Sequence, residues 1–174
     1  MRRCALAWAV LLLLLTAEPA PASGDSADGA KEEPALEDEF HRNHVGLFVG
    51  GITSLTRGHE TSFALGVGYE RRFLRWLGLE AWTDGAIGDH ERGMIFLLGP
   101  VFHPVAGLRI ITGVGFEVGG HAEHAGAEVY PVLALGAGYD FQTGPIILTP
   151  ELYFDFIGRS TTNLTYGLAI GYGF

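Results

Sequence analysis

From His44 to its end the chain alternates. Eight segments place apolar side chains at every second position, roughly 44–53, 61–72, 76–86, 93–103, 108–117, 128–141, 146–156 and 162–174. Period 2 belongs to strands, whose successive side chains point to opposite faces. Most of these segments match the ~9–11 residues that a tilted strand needs to cross a bilayer. The last is the cleanest, with Leu164, Tyr166, Leu168, Ile170, Tyr172 and Phe174 on one face against Thr165, Gly167, Ala169, Gly171 and Gly173 on the other. The pattern predicts an all-β fold, an eight-stranded antiparallel up-and-down transmembrane β-barrel over 44–174 with a polar, glycine-rich interior.

The two faces decide which way the barrel is dressed. One collects Phe63, Leu65, Val67, Tyr69, Leu77, Leu79, Leu108, Ile110, Val114, Phe116, Val129, Leu133, Leu135, Leu148, Leu152 and Phe154. The other collects Glu70, Glu80, Asp84, Arg109, Glu117, Asp140, Glu151 and Asp155, interleaved with glycine. A water-soluble barrel or sandwich keeps its charge outside and its apolar side chains within. Here the crowded, charged face is the one that must turn inward. Tyr69, Phe73, Trp76, Tyr139, Phe141, Tyr172 and Phe174 fall near one end of their strands, as an interfacial aromatic girdle does. The fourth segment is ambiguous, because Phe96, Leu98, Pro100 and Phe102 on one face and Ile95, Leu97 and Val101 on the other are all apolar or proline.

Upstream of the alternation the chain changes character twice. Arg2 and Arg3 precede an apolar run from Cys4 to Leu15 and an Ala20-Pro21-Ala22 site, which reads as a secretory signal peptide over 1–22. The run is too short for a spanning helix. Residues 23–43 then carry Asp25, Asp28, Glu32, Glu33, Glu37, Asp38 and Glu39 against Lys31 and Arg42, an acidic leader expected to be disordered and periplasmic. Cys4 is the single cysteine, so the chain after cleavage has no thiol chemistry. With both barrel ends assigned to the periplasm, Phe73–Arg75, Pro104–Gly107 and Gln142–Pro145 are the inner turns. The outer loops are Ser54–Glu60, Ile87–Arg92, Val118–Ala127 and Ile157–Thr161.

These segments together resemble the small outer-membrane barrels of Gram-negative bacteria, the OmpA-barrel and OmpX class often described as porin-like. The resemblance implies location in the outer membrane, contact with its lipids, and a monomer. It also implies that Leu168, Ile170, Tyr172 and the terminal aromatic Phe174 form the signal read by the barrel assembly machinery. The class includes anchors, adhesins, enzymes and narrow pores, so it implies a fold more than an activity.

Interior charge is the first candidate chemistry. Placing Arg109 opposite Gly136, and Gly136 opposite Glu151, puts Arg109 and Glu151 on one rung two strands apart, roughly 10 Å between backbones. The reading is a lumen ion pair, with Asp140, Glu80 and Glu70 as competing partners. Such a pair either plugs the lumen or gates a narrow pore; an interior with seven acids and one base makes any path cation-leaning. Histidine is the second. His59, His90, His121 and His124 fall in the outer loops beside Glu123, a ligand set suited to a divalent transition metal. Ordinary solvated loops explain the same residues, and no other cofactor is expected. His41, His44 and His103 read as interfacial polar residues at the periplasmic rim.

Enzyme chemistry finds little support. The lipid A deacylase barrels use a His-x-Ser motif, and none of the seven histidines here is followed two residues later by serine. Net charge −9 and the absence of a basic aromatic groove exclude nucleic acid as a partner. Arg71, Arg72 and Arg75 read instead as a turn facing lipid phosphates or solvent. The expected role is a non-enzymatic envelope protein, a scaffold with a charge-plugged lumen. Its alternatives are a narrow cation-leaning pore, a metal-binding outer-loop surface and, more remotely, a lipid-modifying enzyme.

Overall fold

The structure is a computed structural model that describes residues 40–56, 60–87, 93–119 and 128–174. The signal peptide, and the acidic leader before residue 40, lie outside the described residues. Among the described residues nine strand segments occur: β1 Asn43–Ser54, β2 Thr61–Leu74, β3 Leu77–Ile87, β4 Gly93–Phe102, β5 Leu108–Gly119, β6 Glu128–Tyr139, β7 Phe141–Thr143, β8 Ile146–Ile157 and β9 Thr161–Gly173. Neighbours pair antiparallel in the order β6-β5-β4-β3-β2-β1-β9-β8, and β6 pairs with β8 to close the ring. β7 continues β6 along the same flank of β8, so the barrel has eight staves.

The break between β6 and β7 has a local cause. Their shared register with β8 sets Tyr139 opposite Pro150 and Asp140 opposite Thr149. Proline has no N–H to donate, so a ladder bond is missing there and pairing lapses for two residue pairs before it resumes at Phe141 and Leu148. On the other flank the register with β5 continues past the break, the Asp140 backbone N–H donating to Gly107 O at 2.6 Å. The expected single segment 128–141 is therefore two strands in one stave.

Both chain ends of the barrel meet. The Asn43 and Phe174 backbones exchange N–H···O bonds of 2.9 and 2.8 Å, and Tyr69 Oη donates to Asn43 Oδ1 at 2.9 Å. With β6 paired to β8, every stave has a neighbour on both sides. Gly144 and Gly158 turn β7 into β8 and β8 into β9 with φ of 58° and 59°, a backbone region that a side chain disfavours.

Alternation sorts the faces as the sequence predicts. Phe63, Leu65, Val67, Val114, Phe116, Val129, Leu133, Leu135 and Leu152 all face outward and are exposed, forming the surface of a membrane barrel. Glu70, Glu80, Asp84, Arg109 and Asp155 are buried within. Pleating also resolves the fourth segment. Met94, Leu98 and Phe102 are exposed, whereas Ile95, Leu97 and Val101 are buried in the lumen.

The interior is thus more apolar than the expected polar, glycine-rich filling. Ile95, Leu97, Val132, Ala134 and Ile157 pack together under Trp82 and Tyr130. Phe48, Ile52 and Ala64 form a second cluster, and Val101, Ile111 and Tyr153 a third that also touches Trp82. Most of the first two clusters occupy the half of the barrel away from the chain ends. Glycine makes room for the large side chains among them: a Cβ on Gly113 would lie 2.5 Å from Trp82 Cη2, so the indole lies directly over that backbone.

Candidate functional site

The half of the lumen nearer the chain ends is filled by charge. Arg109, on β5, has 1% of its surface exposed, and its strand parity aims it inward with Ile111. Its Nη2 donates to Glu80 Oε2 at 3.0 Å and to Glu70 Oε2 at 3.3 Å. Asp140 Oδ1 and Glu151 Oε2 lie 3.8 and 3.9 Å from Nη1. Four carboxylates from β2, β3, β8 and the β6–β7 break converge on one guanidinium. A planar fork of five donors suits such a task, because it bonds in several directions at once.

A second layer holds the carboxylates in place. Arg72 Nε donates to Glu70 Oε1 at 3.2 Å and its Nη2 to Asp140 Oδ2 at 2.8 Å. His103 Nε2 lies 2.8 Å from Glu70 Oε1. Thr149 Oγ1 donates to the directly opposite Asp140 at 2.8 Å, and Tyr153 Oη to Glu151 Oε2 at 2.8 Å. A buried charge is tolerable only when paired and hydrogen-bonded, and each carboxylate in this cluster has at least one such donor or base.

Arg109 and Glu151 do share a rung, but the glycine between them is Gly138 rather than Gly136. The turn is centred one residue beyond the expected Gln142–Pro145: Thr143 pairs with Ile146, leaving Gly144 and Pro145 to turn and shifting the register with β8 by two residues. The β5–β6 register moves by two in the same sense, so the two slips cancel at the ends of the rung. The shorter contacts of Arg109 are to Glu80 and Glu70, ahead of Glu151.

Three residues expected at the turns and the periplasmic rim stand in the lumen instead. Arg72 is not at a lipid-facing turn, and His44 and His103 are not interfacial: both histidines are buried in the lumen. Parity carried the signal, since Arg72 follows Glu70 by two, His103 follows Val101 by two, and His44 precedes Phe48 by four. Proximity to a turn points the other way. Two full cations, Arg72 and Arg109, therefore face the seven interior acids. At the mouth, a depression of about 270 Å³ lined by Arg72, Arg75, Trp76, His103, Val105 and Asp140 leads to the cluster.

The outer-loop candidates His59, His90, His121, His124 and Glu123 lie outside the described residues. Among the described residues no group of three or more His, Cys, Asp or Glu is placed to hold a metal ion. Ile170, Tyr172 and Phe174 of the terminal motif face outward and are exposed, and Leu168 is half-buried on the same face.

Comparison with known proteins finds likeness in shape. No protein-family model and no curated sequence matches the chain. The fold is that of solved small outer-membrane barrels. It is similar to Ail, the attachment invasion locus protein of Yersinia pestis, at 14% identity and a TM-score of 0.57, over 77% of this chain and 99% of that one. Neisserial surface protein A is similar at 9% identity and a TM-score of 0.58, over 76% and 97%. The N-terminal β-barrel domain of Pseudomonas aeruginosa OprF is similar at 16% identity and 0.56, over 78% and 100%. Identities this low carry the architecture, a closed eight-stranded barrel, and leave the activity to the residues of this chain.

Proposed function

We infer that the chain is a non-enzymatic integral protein of the bacterial outer membrane, a monomeric scaffold whose lumen is plugged by the Arg109 cluster. The observation that carries this reading is one buried guanidinium within 4 Å of four carboxylates on different staves. Ion pairs of this kind cross-link the barrel through its middle and occupy the cross-section through which a solute would have to pass. Eight strands leave an interior only just wide enough for side chains. The apolar belt supports lipid as the immediate partner, and the exposed Ile170, Tyr172 and Phe174 support recognition by the assembly machinery. Residues 1–22 act as the export signal in this reading, with the chain ends periplasmic.

A narrow cation-leaning pore is the second reading, favoured by seven interior acids against two arginines. Conductance of the purified chain in a planar bilayer under a salt gradient separates the two. A plugged scaffold is silent as wild type and gains small, cation-selective events in Arg109→Ala. Steady events in the wild type, unchanged by Arg109→Ala, make the protein a pore and remove the cluster from its control.

A further inference from the structure

Between the charge cluster and the apolar half of the lumen lies a cavity of about 30 Å³, walled in part by His44, Glu80, Trp82, Asp84, Arg109, Glu151, Tyr153 and Thr165. That volume holds about two water-sized spheres, since one needs ~10–15 Å³ by this measure. Four buried polar atoms of lining residues make no hydrogen bond among the described residues: Asp84 Oδ1, Thr83 Oγ1, His44 Nε2 and Arg109 Nε. The lining is chemically polarised. Register sets His44 opposite Glu70 and Asp84 opposite Gly66, four residues along β2, so the two are offset by ~13 Å along the strands at ~3.3 Å per residue. The guanidinium and imidazole stand towards one end, and Asp84 towards the other.

At the Asp84 end the available groups are hard oxygens. Asp84 is 7% exposed and no base forms an ion pair with it among the described residues. Thr165 Oγ1 donates its proton to Asp155 Oδ2 at 2.6 Å, which leaves its lone pairs for another partner. Glu151 lines the same cavity from the Arg109 rung and brings a second carboxylate, one oxygen of which accepts from Tyr153. The arginines do not answer this charge, because their short contacts go to Glu70, Glu80 and Asp140. A buried carboxylate without a counter-charge is costly, and a small cation removes that cost. Transition metals prefer imidazole and thiolate sets, and Ca²⁺ takes six to eight oxygens, more than this wall supplies.

We propose that this cavity binds one sodium-sized monovalent cation, held by Asp84 and Thr165, with Glu151 and water completing its shell. The plug then contains an inorganic ion as well as side chains. An ion that binds only the folded state raises stability by mass action: above its dissociation constant, each tenfold rise in free ion multiplies the folding equilibrium constant tenfold. The test is urea unfolding of the full chain in detergent micelles, with sodium chloride replacing choline chloride at constant ionic strength. The proposal expects the midpoint to rise with sodium in the wild type, and in Thr165→Ser, which keeps the hydroxyl, but to stay flat in Asp84→Asn. A wild-type midpoint equal in sodium and choline overturns it, and means that a proton or water satisfies Asp84. A sodium dependence that survives in Asp84→Asn overturns it too, by placing the ion elsewhere. Should Asp84→Asn fail to fold, the ²³Na linewidth of the folded wild type decides: broadening that potassium competes away supports the site, and a free-ion linewidth removes it.

Discussion

Replacing Arg109 perturbs the cluster at its centre, and the structure sets the size of the effect. The guanidinium is 1% exposed, so solvent screens little of what it does. Arg109→Met keeps apolar bulk but strands Glu80, whose only ion pair among the described residues is to Arg109 at 3.0 Å. It also strips one of two arginines from Glu70. Removing one member of a buried ionic network costs about 3–5 kcal/mol, or about two to nearly four orders of magnitude in the folding equilibrium. The loss belongs mainly to the uncompensated carboxylates, so Arg109→Met combined with Glu80→Gln and Glu70→Gln recovers most of it. Distances also rank the partners. In double-mutant cycles Glu80→Gln couples to Arg109 by about 2 kcal/mol, as a hydrogen bond between charged groups does. Glu151→Gln, at 3.9 Å and with a Tyr153 donor of its own, couples by less than half as much. The assay is urea unfolding in lipid vesicles followed by tryptophan fluorescence, with Trp82 packed in the lumen as reporter. A cost for Arg109→Met below about 1 kcal/mol, near that of an exposed ion pair, refutes the reasoning. So does a Glu151 coupling larger than that of Glu80.

Three other expectations test the packing and the ends. Gly113→Ala pushes a methyl into the Trp82 ring and costs about 1–3 kcal/mol, visible as a changed near-ultraviolet circular dichroism band and a lower urea midpoint. Pro150→Ala restores an N–H opposite Tyr139 and joins β6 to β7, so hydrogen exchange at residues 139–141 slows while the fold is retained. Phe174→Ala leaves the backbone bonds to Asn43 in place and removes a side chain that is 54% exposed. Its urea midpoint therefore moves by less than about 1 kcal/mol, whereas the amount of folded barrel recovered from cell envelopes falls several-fold. An equal recovery counts against Phe174 as an assembly signal.

Strand positions were legible because a single period governs the whole barrel. Each expected segment lies within a few residues of an observed stave, and side-chain direction follows from parity alone. The fourth segment shows where that rule stops: Ile95 and Phe96 are both apolar, so hydropathy cannot choose a face, and only pairing with β3 and β5 does. Register is a harder quantity, since it depends on turn length. The β7–β8 turn centred one residue further on, at Gly144-Pro145, moved β8 by two, and the β5–β6 register moved by two as well, which preserved every face and replaced Gly136 by Gly138 in the Arg109 rung. Arg72 and His103 were missed for a different reason. Both stand at strand ends, where a side chain can run along the wall into the lumen, and nearness to a turn resembles exposure in a sequence. The split at Asp140 was written in Pro150, yet its effect depends on which residue stands opposite, again a matter of register.

The central claim is that Arg109 is locked within a closed ionic plug. It is tested most directly by the side-chain ¹⁵N spectrum of the arginines in lipid nanodiscs, with the exposed Arg159 as internal reference. The account predicts that Arg109 shows separate Nη signals, protected from solvent exchange, which collapse in Glu80→Gln while those of Arg159 are averaged throughout. Arg109 signals as averaged and as exchangeable as those of Arg159 contradict it, and describe a mobile guanidinium in an open, hydrated lumen.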